Sequence, residues 1–100
     1  DPMTIVEFLS ARLGEDERAA HAAPSATGGP GRARADVNAK RRIVRCYVNA
    51  YRAGMSTLAH GDRTPESSDA WAALHAWRRA LEHLAEVYSA HPDFDPSWKT

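Results

Sequence analysis

The chain holds one cysteine, Cys46, so no internal disulfide can staple its fold. It lacks any apolar run near the ~20 residues that cross a bilayer, and Glu7 interrupts the segment after Met3 before a secretory apolar region can build. No membrane contact is expected, and the default compartment is the cytoplasm. Asp1 and Pro2, ahead of Met3, read as two appended residues before a native start. The signatures of common catalytic machinery are missing as well: there is no Cys pair, no His-Glu-x-x-His and no Gly-x-Ser-x-Gly. Gly28-Gly29-Pro30-Gly31 is followed by Arg32 and Arg34 rather than Lys-Ser/Thr, which excludes a P-loop. Net charge is absent too, since 13 basic residues balance 13 acidic ones.

What the chain does have is enough apolar matter for one core. Hydrophobic residues make up 43% and charged residues 26%, too apolar a balance for a disordered chain. At 100 residues it should bury roughly 65% of its unfolded surface, so residues 1–100 are expected to form a single domain.

The longest periodic stretch is 37–58. Val37, Arg41, Val44, Val48, Tyr51, Met55 and Leu58 alternate spacings of four and three, which sets them on one helical face, and Tyr47 widens that stripe. Asn38, Arg42, Arg45, Cys46, Asn49 and Arg52 lie opposite. Upstream, Thr4-Ile5-Val6-Glu7 has the form of a capping box and starts a first helix, whose face is Ile5, Leu9 and Leu13 and whose end falls at residues 21–23. Residues 24–36 carry Gly and Pro but no large apolar side chain and are expected to be a mobile linker, with Asp36 capping the central helix. Downstream, Gly61 ends helix two and Thr64-Pro65-Glu66 starts helix three. Ala70, Leu74, Trp77, Leu81, Leu84 and Tyr88 carry the third seam to about Ala90, before Pro92 stops it.

Two long helices of matched period joined by a short turn predict an antiparallel hairpin. The expected fold is an all-α three-helix bundle built on that hairpin, with helix one laid across it. Ala73, Ala80 and Ala85 are expected to face Tyr47, Tyr51 and Met55. Residues 91–100 form a C-terminal tail, where Asp95-Pro96 is a cap-and-first-position signal that would place Phe94 and Trp98 on one face. Trp71 lies off the third seam, and Phe94 and Trp98 lie beyond it, so a homodimer that buries them is expected.

Three islands carry a resemblance. They are Val6-Glu7-Phe8-Leu9-Ser10-Ala11-Arg12-Leu13 with Glu15-Asp16-Glu17, then Asn38-Ala39-Lys40-Arg41-Arg42-Ile43-Val44, and the closing His91-Pro92-Asp93-Phe94 with Trp98. Together they cover about a third of the chain and resemble a family of small actinobacterial and actinophage proteins, a domain of unknown function that closes on His-Pro-Asp-Tyr/Phe-x-x-x-Trp. The resemblance implies origin and fold rather than activity. Members of that family carry a longer Trp- and His-containing insert between the first two islands, where this chain has only its Gly/Pro stretch.

Candidate chemistry is sparse. His21, His60, His75, His83 and His91 show no i, i+3 or i, i+4 pair, and His91-x-Asp93-x-Asp95 is better explained as a capped turn than as a cation site. Cys46 lies near Arg42 and Arg45 but has no His placed as its base. No catalytic, cofactor or metal residue is therefore expected, and the chain is not expected to be an enzyme. Charge, by contrast, is segregated: residues 24–58 hold seven basic side chains and one acidic, between acidic flanks. Arg32, Arg34, Lys40, Arg42 and Arg45, with Trp71, Phe94 and Trp98, form the candidate interaction surface. The expected role is a non-catalytic protein-interaction or structural module with an unknown protein partner. The alternative is an accessory nucleic-acid-binding protein using the basic arm and helix, weakened by the lack of any base-reading element. Arg41, on the seam, is expected to bury its stem and pair its head.

Overall fold

The computed structural model describes residues 3–22, 29–59, 61 and 65–99. The Thr4 hydroxyl accepts from the Glu7 amide at 3.1 Å while the Glu7 carboxylate accepts from the Thr4 amide at 2.9 Å. The capping box thus forms as expected, and α1 (Ile5–Ala22) starts from it. These hydrogen bonds also hold the Glu7 carboxyl below its usual pKa. Two longer helices follow, α2 (Gly29–Ala59) and α3 (Pro65–Glu86), and a 3-10 turn at Pro96–Trp98 closes the chain. Gly61, at φ 68°, ends α2 with its amide on the Leu58 carbonyl. The fold is the expected all-α three-helix bundle.

Three boundaries or contacts differ from expectation. α2 begins at Gly29, so residues 29–36 are helix rather than linker. Arg32-Ala33-Arg34-Ala35 are strong helix formers, Val37 is buried, and Asp36 pairs with Lys40 one turn on at 2.8 Å instead of capping the start. α3 stops at Glu86, and the chain continues as tight turns in which the amides of Val87, Tyr88, Ser89 and His91 bond three residues back. Ala73 and Tyr51 are both exposed, so those two are not buried against a partner as expected, while Ala85 is buried and Ala80, Tyr47 and Met55 are half-buried; a close approach lies at Gly54, where Trp71 and Leu74 pack. Asp1 and Pro2, residues 24–28 of the expected linker, His60 and the Thr64 cap lie outside the described residues.

Packing partners fix the topology. Gly54 lies against Trp71 and Leu74 while Lys40 lies over Tyr88, so α2 and α3 run antiparallel. Glu17 meets Arg41 and His21 meets Arg34, so α1 is also antiparallel to α2. After Tyr88 the chain reverses and returns along α1, which brings Trp98 back to Phe8.

The core centres on α1. Ile5, Phe8, Leu9 and Leu13 are at most 2% exposed and pack with Val37 and Val44 of α2, Leu81 and Ala85 of α3, and Trp98. Phe8 is the hub, with ring centroids of Tyr88, His91, Phe94 and Trp98 at 5.1 to 6.3 Å. Because α1 spans only the N-terminal part of α2, the body is elongated, 55 × 27 × 21 Å. Beyond it α2 and α3 continue as a two-helix end. There the α2 seam surfaces: Tyr51 is 47% and Leu58 63% exposed.

Candidate functional site

Along α1, positions 5, 8, 9, 12 and 13 form the buried face, and Arg12 is the one charged member. Its stem crosses the Phe8 ring, with the guanidinium 5.3 Å from the centroid. Its Nε lies 2.9 Å from Glu15 Oε1, an ion pair off the N–H axis, and Nη1 meets the His91 ring at 2.7 Å from Nδ1. Asp93 lies 3.9 Å away, and its amide donates to His91 Nδ1 at 3.0 Å. Asp95 caps the final turn by accepting from the Ser97 amide at 2.9 Å. The His-Pro-Asp-Phe stretch is thus a capped turn clamped to α1. Sequence reasoning assigned Arg12 no role, although a charged residue in register with Ile5, Phe8 and Leu9 was a legible signal of a buried clamp.

The same end gathers the other two islands. The Tyr88 hydroxyl donates to Asp16 at 2.6 Å, and burial, then that carboxylate, pushes its pKa up. Arg41 donates to Glu17, as its seam position suggested, and that hydrogen bond, then the positive charge, holds the Glu17 carboxyl below its usual pKa. Arginines and carboxylates here serve one another. Among the described residues no three His, Cys, Asp or Glu side chains converge on a point a metal ion could occupy. Cys46 is half-buried and unbonded to another cysteine.

The expected interaction surface divides. Trp98 is 4% exposed and Phe94 is half-buried against Phe8, so both are core and the surface loses them: the tail's reversal gives them an internal partner that sequence alone did not offer. Trp71 is half-buried over Gly54. Lys40 is taken by Asp36 and Tyr88, and Arg34 reaches His21 Nδ1 at 3.1 Å. Arg32, Arg42 and Arg45 are exposed and have no acidic partner among the described residues. Arg52, left out of the candidate set, is in the same condition.

Two of these free cations edge a groove between α1 and α2. It encloses ≈ 580 Å³ and is floored by Val6, Leu13, Val44 and Val48. Ser10 lines the α1 side, and Arg41, Arg45, Asn49 and Arg52 line the α2 side. A smaller hollow of ≈ 280 Å³ continues from it, sharing Val6 and Val48 and reaching Tyr47, Tyr51 and Arg78. An apolar trough with a cationic edge can seat an amphipathic ligand, and nothing in it is arranged as an acid, base or nucleophile. Among the described residues no helix is long and apolar enough to cross a membrane.

No curated protein and no solved structure matches the chain. A family model, described as a family of unknown function (DUF6221), matches residues 2–100, and the chain therefore belongs to that family.

Proposed function

We propose that this is a non-catalytic helical module that works by protein contact, with the α1–α2 groove as its contact surface. The observation that supports this most is a groove whose apolar lining, half-open at Val6 and Val48 over the buried Leu13 and Val44, lies beside cations that have no acidic partner among the described residues. At the other end of the bundle the described Arg12, Asp16, Glu17, Arg41, Tyr88 and His91 are engaged with one another, which also supports a structural use of those groups. We read the chain, from its resemblance to actinobacterial and actinophage proteins, as actinobacterial or phage-encoded, and the cytoplasm as the compartment that suits this role. A photocrosslinking residue at Asn49 should capture a discrete protein in the native host, whereas one at exposed Ala76 on α3 should not. Equal capture at both positions, or none at Asn49, would remove the groove from consideration.

Accessory nucleic-acid binding is the second reading, favoured by the free cations Arg32, Arg42, Arg45 and Arg52. On the protein-contact reading duplex binding should nevertheless be weak even at ~50 mM salt, and what binding there is should show little sequence preference, because no base-reading element is present among the described residues. Tight binding at physiological salt that disappears when these four become Gln would promote it. A homodimer stands on narrower ground than the sequence suggested, since Phe94 and Trp98 are consumed internally. The exposed Tyr51 and Leu58 of the two-helix end are its remaining basis, and sedimentation at micromolar concentration tests it.

A further inference from the structure

We propose that the α1–α2 groove seats an acidic amphipathic helix from a partner protein, with Arg45 and Arg52 facing its carboxylates; this rests on the interaction-module reading above. The shape comes first. The floor side chains sit at 6 and 13 on α1 and at 44 and 48 on α2, so the trough runs along the helix axes. Two antiparallel helices with an apolar furrow between them offer the seat a further bundle helix takes, by ridges into grooves. The furrow extends past Val6 into the hollow at Tyr47 and Tyr51, which gives it the length of about three helical turns.

Charge then selects the occupant. Arg45 and Arg52 are seven residues apart, two turns or about 10 Å on one side of α2. Arg41, next along that edge, is balanced by Glu17, and the α1 edge offers Ser10, which carries no charge. The groove therefore presents, among the described residues, two positive charges without an acidic partner beside the apolar Val6 and Val48. A helix with an apolar stripe and carboxylates spaced by seven meets both demands, and one with a basic flank is repelled. A second copy of this chain is a poorer occupant, because its acidic run is already engaged: Glu15 by Arg12, Asp16 by Tyr88 and Glu17 by Arg41. A nucleic-acid duplex would lay phosphates over the Val6, Leu13, Val44 and Val48 floor and gain nothing from it.

The test titrates the full chain with three synthetic helix-forming peptides of about 18 residues, alike in a Leu stripe and differing only in flanking Glu, Gln or Lys. Methyl NMR of Val6, Val44 and Val48 reports the site. The Glu peptide should shift these methyls and bind at least about tenfold more tightly than the Gln peptide. Arg45→Glu with Arg52→Glu should abolish that preference and transfer it to the Lys peptide, with helical content unchanged because both positions are exposed. The milder pair Arg45→Gln and Arg52→Gln should level all three peptides. Equal binding of the Glu and Gln peptides at these methyls would overturn the acidic partner and leave the groove reading standing. No methyl shift with any peptide, together with no capture at Asn49, would overturn both. Methyl shifts that follow protein concentration alone, or that duplex DNA produces more tightly than the Glu peptide, would assign the groove to a second copy or to nucleic acid and defeat the proposal.

Discussion

The two ends of the molecule carry the same apolar periodicity and treat it differently. At the end where α1 lies across the hairpin, Val37, Val44, Leu81 and Ala85 are at most 8% exposed. At the other end the seam continues through Tyr51 and Leu58, which are 47% and 63% exposed, and through Met55, Leu74 and Trp77, which are only half-buried. A four-three repeat tells which side of a helix turns inward; a third layer decides whether that side is buried. The 18 residues of α1 reach about 27 Å, against about 46 Å for the 31 residues of α2, so one end of the hairpin must go uncovered.

The sharpest way to break this comparison is a matched pair of substitutions. Leu81→Asp places a carboxylate at a fully buried position and should cost several kcal/mol, enough to abolish the cooperative thermal transition. Leu58→Asp, in the same periodic pattern, should move stability by no more than about 0.5 kcal/mol. Comparable losses would mean that the two-helix end is covered after all. Trp98→Ala should follow closely, at about 3–5 kcal/mol in urea denaturation, because it empties the site against Phe8. A loss under about 1 kcal/mol would show that the tail is not part of the core.

Gly54→Ala sharpens the comparison from the other side. The added methyl would lie 3.6 Å from Leu74 and 3.7 Å from Trp71, ordinary contact, so the substitution should stabilise by about 0.5–1 kcal/mol through helix propensity. Destabilisation would indicate tighter packing there than described. The smallest effect belongs to the half-buried Glu17–Arg41 pair at the bundle surface. The Glu17 carboxyl is held below 4.5, so its contribution is present above that unfolded value and is lost as pH falls through the lower folded one. Arg41→Gln should bring the Glu17 titration back toward 4.5 by NMR and flatten the acid limb of the stability profile. An unchanged titration would mean that the pair does not persist in solution.

Much of the fold was legible because its signals are local. The Thr4–Glu7 capping box, Gly61 and Asp95-Pro96 each involve residues within a few turns and lie where the pattern placed them, and the seams pick the inward side of each helix although that of α2 surfaces at Tyr51 and Leu58 and α3 stops short of Tyr88. The start of α2 was misread because glycine and proline outweighed the helix-favouring Arg-Ala-Arg-Ala that follows them. Arg12 with His91, and Phe8 with Trp98, are pairings across nearly the whole chain, and no spacing rule reaches that far. The candidate surface was half legible. Arg42 and Arg45 were placed on the open side of α2, but which cations would remain unpaired depended on Glu17 arriving from α1 and on Asp36 being helical and within one turn of Lys40 rather than in a linker.

The interlock of Phe8 with Trp98 bears on how the chain is made. Residue 8 leaves the ribosome well before residue 98, so a growing chain carries an open Phe8 cluster throughout that interval. Helices can form as they emerge, but the aromatic box closes only once Trp98 has emerged as well. Docking of the tail is therefore a late step of folding, and a chain stalled before Trp98 is left with its most apolar face open to other proteins.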